Sequence, residues 1–298
     1  MYDRIVIAVD GSEEANRAAD RGLDLAEAFD AFVDVVYVVD ERTLGLTRGN
    51  AEVERLRKRG AEVLESVAAR ATDRGLVTAT ELAEGIPAAS IGEYATARGA
   101  DLVVLGRQGM TGVRRRLLGG VTEQMLHRCT VPVYVVPAEE ESTADETAVR
   151  RLLLPTDGSE NADVATAHAA AIAGRYGAEV DVLNVVDLQA AGGLFDAGGM
   201  EAAFVERLDT RGQEAVERVV ADLEAIDADL PVRAVVERSS SYGGVVEAIR
   251  EYVVENDVDL VVMSSHGRSN LGRQVLGSVA SSVLRTIDVP VLVVERQA

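Results

Sequence analysis

The chain has no tryptophan, one cysteine and a single lysine among its 30 basic residues. The lone Cys129 cannot form an internal disulfide, so neither a stapled fold nor a redox dithiol is available. That agrees with a reducing interior. No run approaches the ~18 apolar residues of a membrane span, and the apolar start VIAV is only strand length. Neither a signal peptide nor a membrane anchor is therefore expected. The 3 histidines have no zinc-type spacing, and no metal site is expected. Positive charge is outnumbered: 30 Lys and Arg face 50 Asp and Glu, a formal net charge of −20. Binding to nucleic acid needs basic surface that displaces counterions, so this balance disfavours it. An acidic surface keeps a protein soluble, and a carboxylate-rich, lysine-poor one fits a cytoplasm of high salt.

What is present is present twice. RIVIAVDGS (4–12) returns as RLLLPTDGS (151–159), and LGRQGMTGVRRRLLGGVTEQMLHRCTVPVYVV (105–136) as MSSHGRSNLGRQVLGSVASSVLRTIDVPVLVV (263–294). Early matches differ by 147 positions and late ones by 158, so the second copy carries 11 extra residues in its middle. A unit of roughly 145 residues exceeds solenoid repeats of about 20–50 residues and is a duplicated domain. The expected domains are 1–140 and 148–298, joined by the acidic linker PAEEESTADET (137–147). The extra residues include QAAGGLFDAGGM (189–200), which has no period and reads as a loop.

Short Val/Ile/Leu runs alternate with helical patterns. Strands are expected at 4–9, 33–39, 78–84, 102–105 and 132–136, and helices at 13–29, 50–74, 88–98 and 120–128. The second copy gives strands near 151–155, 179–186, 231–237, 259–263 and 290–294. Near-continuous apolar strands alternating with helices predict an α/β fold with a parallel sheet covered on both faces. Ser12 and Ser159 are the expected N-caps of the first helices, with Glu13, Glu14 and Glu160 in the first turn.

Open parallel sheets bind ligands beyond the carboxyl ends of their strands, where strand order reverses. That rule selects Asp10 and Asp157 after the first strand, Asp40 and Asp187 after the second, and a glycine loop after the fourth. The loop runs Gly106-x2-Gly109-x9-Gly119-Gly120 in one copy and Ser264-x2-Gly267-x9-Gly277-Ser278 in the other. Glycines let backbone amides approach an anion closely, and the next helix aims its free N–H groups into the same space. Arg107, Arg114, Arg115, Arg116, Arg268 and Arg273 make the loops locally basic. The alternative is an ordinary turn with solvent-facing arginines, and Asp-Gly also caps turns on its own. His266 is answered by Gln108, which argues against a catalytic imidazole. There is no Walker A sequence, no G-x-S-x-G elbow and no G-x-G-x-x-G after the first strand. No catalytic residue is assigned.

The G-x2-G-x9-G-[ST] loop, the Asp after strand one and the closing VPVYVV and VPVLVV strands resemble the universal stress protein family over nearly the whole chain, as two tandem domains. The resemblance implies doubly wound, Rossmann-like five-stranded domains of order 3-2-1-4-5, and ATP binding in many members. It implies that Asp10 and Asp157 meet the ribose hydroxyls and that the backbone of Val39 and Val186 meets adenine. Gly106, Gly109, Gly119 and Gly120 would wrap the phosphates in the first copy, and Gly267, Gly277 and Ser278 in the second. Gly120 stands where the family has Ser or Thr, and Ser264 stands for the first glycine. The first removes a hydroxyl that Thr122 either replaces or does not; the second is mild only if that position keeps φ < 0.

The leading expectation is a cytoplasmic regulatory protein of the stress response with two adenine-nucleotide sites, ATP arriving with Mg²⁺ and hydrolysis at most slow and incidental. A non-nucleotide interaction module is the alternative. Its copies would form an intramolecular pseudo-dimer through the last strands, with an unknown protein partner or a further homodimer possible. An ATP-using enzyme would need a reactive residue that the motifs do not offer.

Overall fold

In the computed structural model, which describes residues 1–41, 50–109, 117–137, 149–189, 202–241, 243–267 and 276–295, each β-branched run becomes a strand. Contacts divide the chain into two units, Met1–Thr147 and Ala148–Ala298. The linker beyond Pro137, the 190–201 segment and Arg114, Arg115, Arg116, Arg268 and Arg273 lie outside the described residues.

The first unit runs β1 (Arg4–Val9), α1 (Glu13–Phe29), β2 (Phe32–Asp40), α2 (Asn50–Asp73), β3 (Thr78–Gly85), α3 (Pro87–Arg98), β4 (Leu102–Gly106), α4 (Gly120–Arg128) and β5 (Val133–Val136). Its strands pair in parallel in the order β3-β2-β1-β4-β5. The central strands are covered on both faces: Ile5, Val6, Ile7, Leu102, Val103 and Val104 have no exposed surface. Alternation would have left every second one wet, so the continuous apolar runs are explained by helices on both sides.

The second unit repeats this with β6 (Arg151–Pro155), α5 (Glu160–Asp163), α6 (Thr166–Tyr176), β7 (Glu179–Asp187), α7 (Ala202–Ile226), β8 (Val232–Ser239), α8 (Gly244–Glu255), β9 (Leu260–Ser264), α9 (Ser278–Thr286) and β10 (Val291–Val294). Its parallel order is β8-β7-β6-β9-β10. Each unit is thus the five-stranded, doubly wound 3-2-1-4-5 arrangement, with its switch point between the first and fourth strands.

Small residues let α1 press onto the sheet. Ala15, Ala18, Ala19, Gly22, Leu23 and Ala26 form its buried stripe. A Cβ on Gly22 would come within 2.9 Å of Ile7 Cδ1, so that closeness requires glycine. Ser12 caps the helix, accepting from the Ala15 amide at 3.1 Å. In the second unit Ser159 caps likewise, accepting from Ala162 N at 3.3 Å, but the helix breaks after Asp163 and resumes at Thr166. β-Branched Val164 and Thr166 flank the break where the first unit has Arg17 and Ala19, and such side chains lose rotamer freedom in a helix.

A buried aspartate gathers charged and phenolic partners at the amino ends of the strands in both units. Asp34 on β2 is fully buried and accepts from Arg4 Nη1 at 2.7 Å, Tyr94 Oη at 3.2 Å and Arg98 Nη2 at 3.3 Å. Asp181 on β7 accepts from Arg233 Nε and Nη2, both at 2.9 Å, and from Tyr252 Oη at 3.0 Å. Burial, with Asp181 beside it, pushes the Tyr252 hydroxyl up to about 12. This end is remote from the carboxyl ends of the strands.

Candidate functional site

Each unit gathers its candidate residues at the carboxyl ends of its central strands. The chain leaves β1 through Asp10-Gly11-Ser12, where Gly11 takes a φ of +80°, and leaves β6 through Asp157-Gly158-Ser159, where Gly158 takes +78°. Left-handed backbone at these points is why the acid is followed by glycine. The Asp10 Oδ1 accepts from Ser12 N at 2.9 Å, and Asp157 Oδ1 from Ser159 N at 3.0 Å. One carboxylate oxygen therefore holds the turn.

The other oxygen faces the glycine loop. A Cβ built on Gly109 would run into Asp10 Oδ2, and one on Gly267 into Asp157 Oδ2. Neither glycine has positive φ, so close approach, not backbone conformation, is what demands glycine there. The turn-capping and site-forming readings of the aspartate are thus compatible: each oxygen has its own task.

The loop returns to the helix through a matched pair of bonds. Gly119 N donates to Arg107 O at 2.9 Å, and Gly277 N donates to Ser265 O at 2.8 Å. A Cβ on Gly277 would lie 2.9 Å from that same Ser265 oxygen, and one on Gly119 would lie 3.3 Å from Arg107 O. Helices α4 and α9 then begin after Gly119 and Gly277, N-cap residues that have no side chain to cap the first N–H groups. An uncapped N-terminus offers backbone donors and a positive dipole end to whatever lies before it.

The two departures from the motif have separate outcomes. Gly106 does not use positive φ, and Ser264 occupies the matched place with its Oγ donating to His266 O at 2.5 Å. Serine is accommodated there. At Gly120 a Cβ would meet nothing within 4 Å among the described residues, so nothing described in the packing forbids the serine that stands at 278. Thr122 does not replace the missing hydroxyl: it is buried and donates to Gly106 O at 2.9 Å.

In the second unit these parts enclose a cavity of about 360 Å³. Asp157, Ser264, His266, Gly267, Gly277 and Ser278 form its polar side. Leu183, Val185, Val245, Ile249 and Met263 form the apolar side. That size and composition suit a small-molecule site, for which about 300–1,000 Å³ is usual. From β7 the lining takes Leu183, Asn184 and Val185; Val186 is buried beside α7, where its Cγ2 lies 3.4 Å from the place of a Gly212 Cβ. Val39, its match in the first unit, is buried too. Asp187 Oδ1 accepts from Gln189 N at 2.9 Å and so also caps a turn. His266 Nδ1 lies 2.9 Å from Ser265 Oγ.

Unlike side chains occupy matched places. Asn184 donates to Thr156 O at 2.8 Å, whereas the first unit has Tyr37. Burial raises the Tyr37 hydroxyl above its usual value, with Arg59 pulling it back. Glu14, assigned from sequence only to the first turn of α1, reaches the loop: its Oε2 accepts from Gln108 N at 2.9 Å. Among the described residues no cluster of His, Cys, Asp and Glu could hold a metal ion, and no helix is long and apolar enough to cross a membrane.

Known proteins are similar to this chain in sequence and in fold. A universal stress protein of Methanocaldococcus jannaschii is 41% identical over 140 residues, covering 46% of this chain and 82% of that protein. One of Mycobacterium tuberculosis is 30% identical over 310 residues, covering 97% of this chain and 96% of that protein. The crystal structure of a universal stress protein from Archaeoglobus fulgidus has the same fold, with a TM-score of 0.72 at 22% identity, covering 98% of this chain and 96% of that one. The sequence model described as the universal stress protein family matches residues 1–137 and again residues 148–295. The chain therefore belongs to the universal stress protein family, as a tandem pair of its domains.

Proposed function

We propose that each half binds an adenine nucleotide at the carboxyl ends of its strands and that the chain acts as a regulatory protein of the stress response. The observation that carries this reading is the closure of Asp157 onto Gly267 at the rim of the cavity, repeated by Asp10 and Gly109. A carboxylate accepts from the paired hydroxyls of a ribose. Glycine-lined amides and an uncapped helix N-terminus suit the phosphates. The apolar side of the cavity suits a flat base. On this reading Gly106, Gly109, Gly119 and Gly120 carry the phosphates in the first half, and Gly267, Gly277 and Ser278 in the second. Val39 and Val186 belong to the strands that flank the base.

A bound triphosphate would bring Mg²⁺ with it, because the chain is too acidic to neutralise it alone. Binding is the readout, and any hydrolysis is slow and incidental. The acidic, lysine-poor surface fits a cytoplasm of high salt. Calorimetric titration of ATP and ADP in molar KCl tests the reading, and absence of binding sinks it. Asp10→Ala and Asp157→Ala, made singly, should each remove one site. Together they should abolish binding, and full binding by the double variant would remove the ribose assignment.

A further inference from the structure

The two halves differ in charge where the glycine loop meets the first helix. In the first half the Glu14 carboxylate sits on the backbone amide of Gln108, 2.9 Å away, between the motif glycines Gly106 and Gly109. In the second half the matched residue is Asn161, which is neutral, and its Nδ2 donates to Gly267 O at 2.9 Å. A carboxylate is therefore bound at a loop amide in one half, and a carboxamide donates to the loop in the other.

Glu14 is held close to this loop. A Cβ on Gly106 would lie 3.3 Å from both the carbonyl carbon and oxygen of Glu14, so the first turn of α1 is pressed against the strand end. Arg107 brings the opposite charge into the same loop and is 98% buried, at 2% exposure, where the second half has Ser265. The Gln108 amide itself is taken by Glu14. The first half also has Gly120 where Ser278 supplies a hydroxyl in the second.

We propose that Glu14 is an internal competitor for phosphate. The first half then holds phosphorylated adenine ligands more weakly than the second, the more so the more phosphates they carry. The proposal rests on the adenine-nucleotide reading and adds a division of labour to it. A carboxylate and a phosphate oxygen seek the same N–H donor, and their like charges repel in proportion to the ligand's charge. A neutral nucleoside feels neither effect.

The test uses the full chain with Asp157→Ala to silence the second half, titrated separately with adenosine and with ATP at fixed salt. Adding Glu14→Gln should raise ATP affinity about tenfold and leave adenosine affinity within about twofold. The mirror variant, Asn161→Glu in an Asp10→Ala chain, should lower ATP affinity about tenfold and spare adenosine. Should Glu14→Gln fail to fold, as judged by circular dichroism, the mirror variant decides. ATP affinity unmoved by these changes while adenosine still binds would overturn the role of Glu14 and leave the nucleotide reading standing. Equal shifts for both ligands would also overturn it, because the cleft would then have changed shape rather than charge. Failure of the unsubstituted chain to bind either ligand would overturn the nucleotide reading and the role of Glu14 with it.

Discussion

Alanine at two glycines of the same loop should have opposite effects. A Cβ on Gly109 would overlap Asp10 Oδ2, whereas one on Gly120 meets nothing within 4 Å among the described residues. In Gly109→Ala the carboxylate must turn away and release the Ser12 amide that it holds at 2.9 Å. A hydrogen bond to a charged group contributes about 1.5–3 kcal/mol, and forced overpacking costs about 1–3 kcal/mol. Asp10 is half-exposed and water recovers part of the loss, so a net cost of about 2 kcal/mol is expected. Gly120 opens α4, and alanine is favoured over glycine in a helix by about 0.5–1 kcal/mol. The two variants should thus differ by about 2.5–3 kcal/mol. At about 2–4 °C per kcal/mol for a domain of this size, their melting temperatures should separate by about 5–12 °C. Scanning calorimetry on the full chain, following the transition of the first unit, measures this. If the two variants melt within about 1 °C of each other, the Asp10–Gly109 closure does not constrain the fold and the steric argument is refuted.

Tyr252→Phe removes a donor to Asp181 and an acceptor 2.6 Å from Arg233 Nη2; urea unfolding should show a loss of about 1.5–3 kcal/mol in the second unit. In the unsubstituted protein Tyr252 should ionise late, near 12, and the difference between ultraviolet pH titrations of the two proteins should place the lost tyrosine there. Thr122→Val leaves the Gly106 carbonyl without its buried donor and should cost about 1–2 kcal/mol, while ATP affinity at the first site stays within about twofold if Thr122 does not touch phosphate. Burial lowers the His168 imidazole below its usual 6.5, so the unfolded chain binds the proton first as pH falls. Its contribution to stability is full above about 6.5 and is lost as pH drops through the folded value. Melting curves from pH 8 to 5 should fall less steeply for His168→Gln than for the unsubstituted chain.

The alternation of apolar runs and helical patterns was enough to place each described strand within a residue or two, because runs such as LVVL and VYVV have no polar face to mistake. The capping serines were equally legible, since Ser12 and Ser159 each precede an acid-rich first turn. The break between α5 and α6 was not, because two β-branched residues weaken a helix without compelling it to stop. Nor was the buried cluster around Asp34 and Asp181. An acid within a strand reads as solvent-facing unless its partners are known, and those partners are up to 71 residues away. The internal comparison held a clue: Arg4, Asp34 and Tyr94 return as Arg151, Asp181 and Tyr252. Glu14 stayed hidden for a different reason. A first-turn glutamate favours a helix dipole wherever it occurs, and only the fold brings its carboxylate to an amide 94 residues on.

The contact between Asp10 and Gly109 also links binding to the integrity of a whole half. These residues follow the first and fourth strands of the sheet, with α1, β2, α2, β3 and α3 between those strands in the chain. No fragment lacking either end can form the cleft. A ligand that bridges the two ends binds only the fully folded half, and it stabilises that half by mass action according to how far its concentration exceeds its dissociation constant. Slowed amide hydrogen exchange on binding should therefore extend through the sheet of the occupied half, out to its edge strand, β3 or β8.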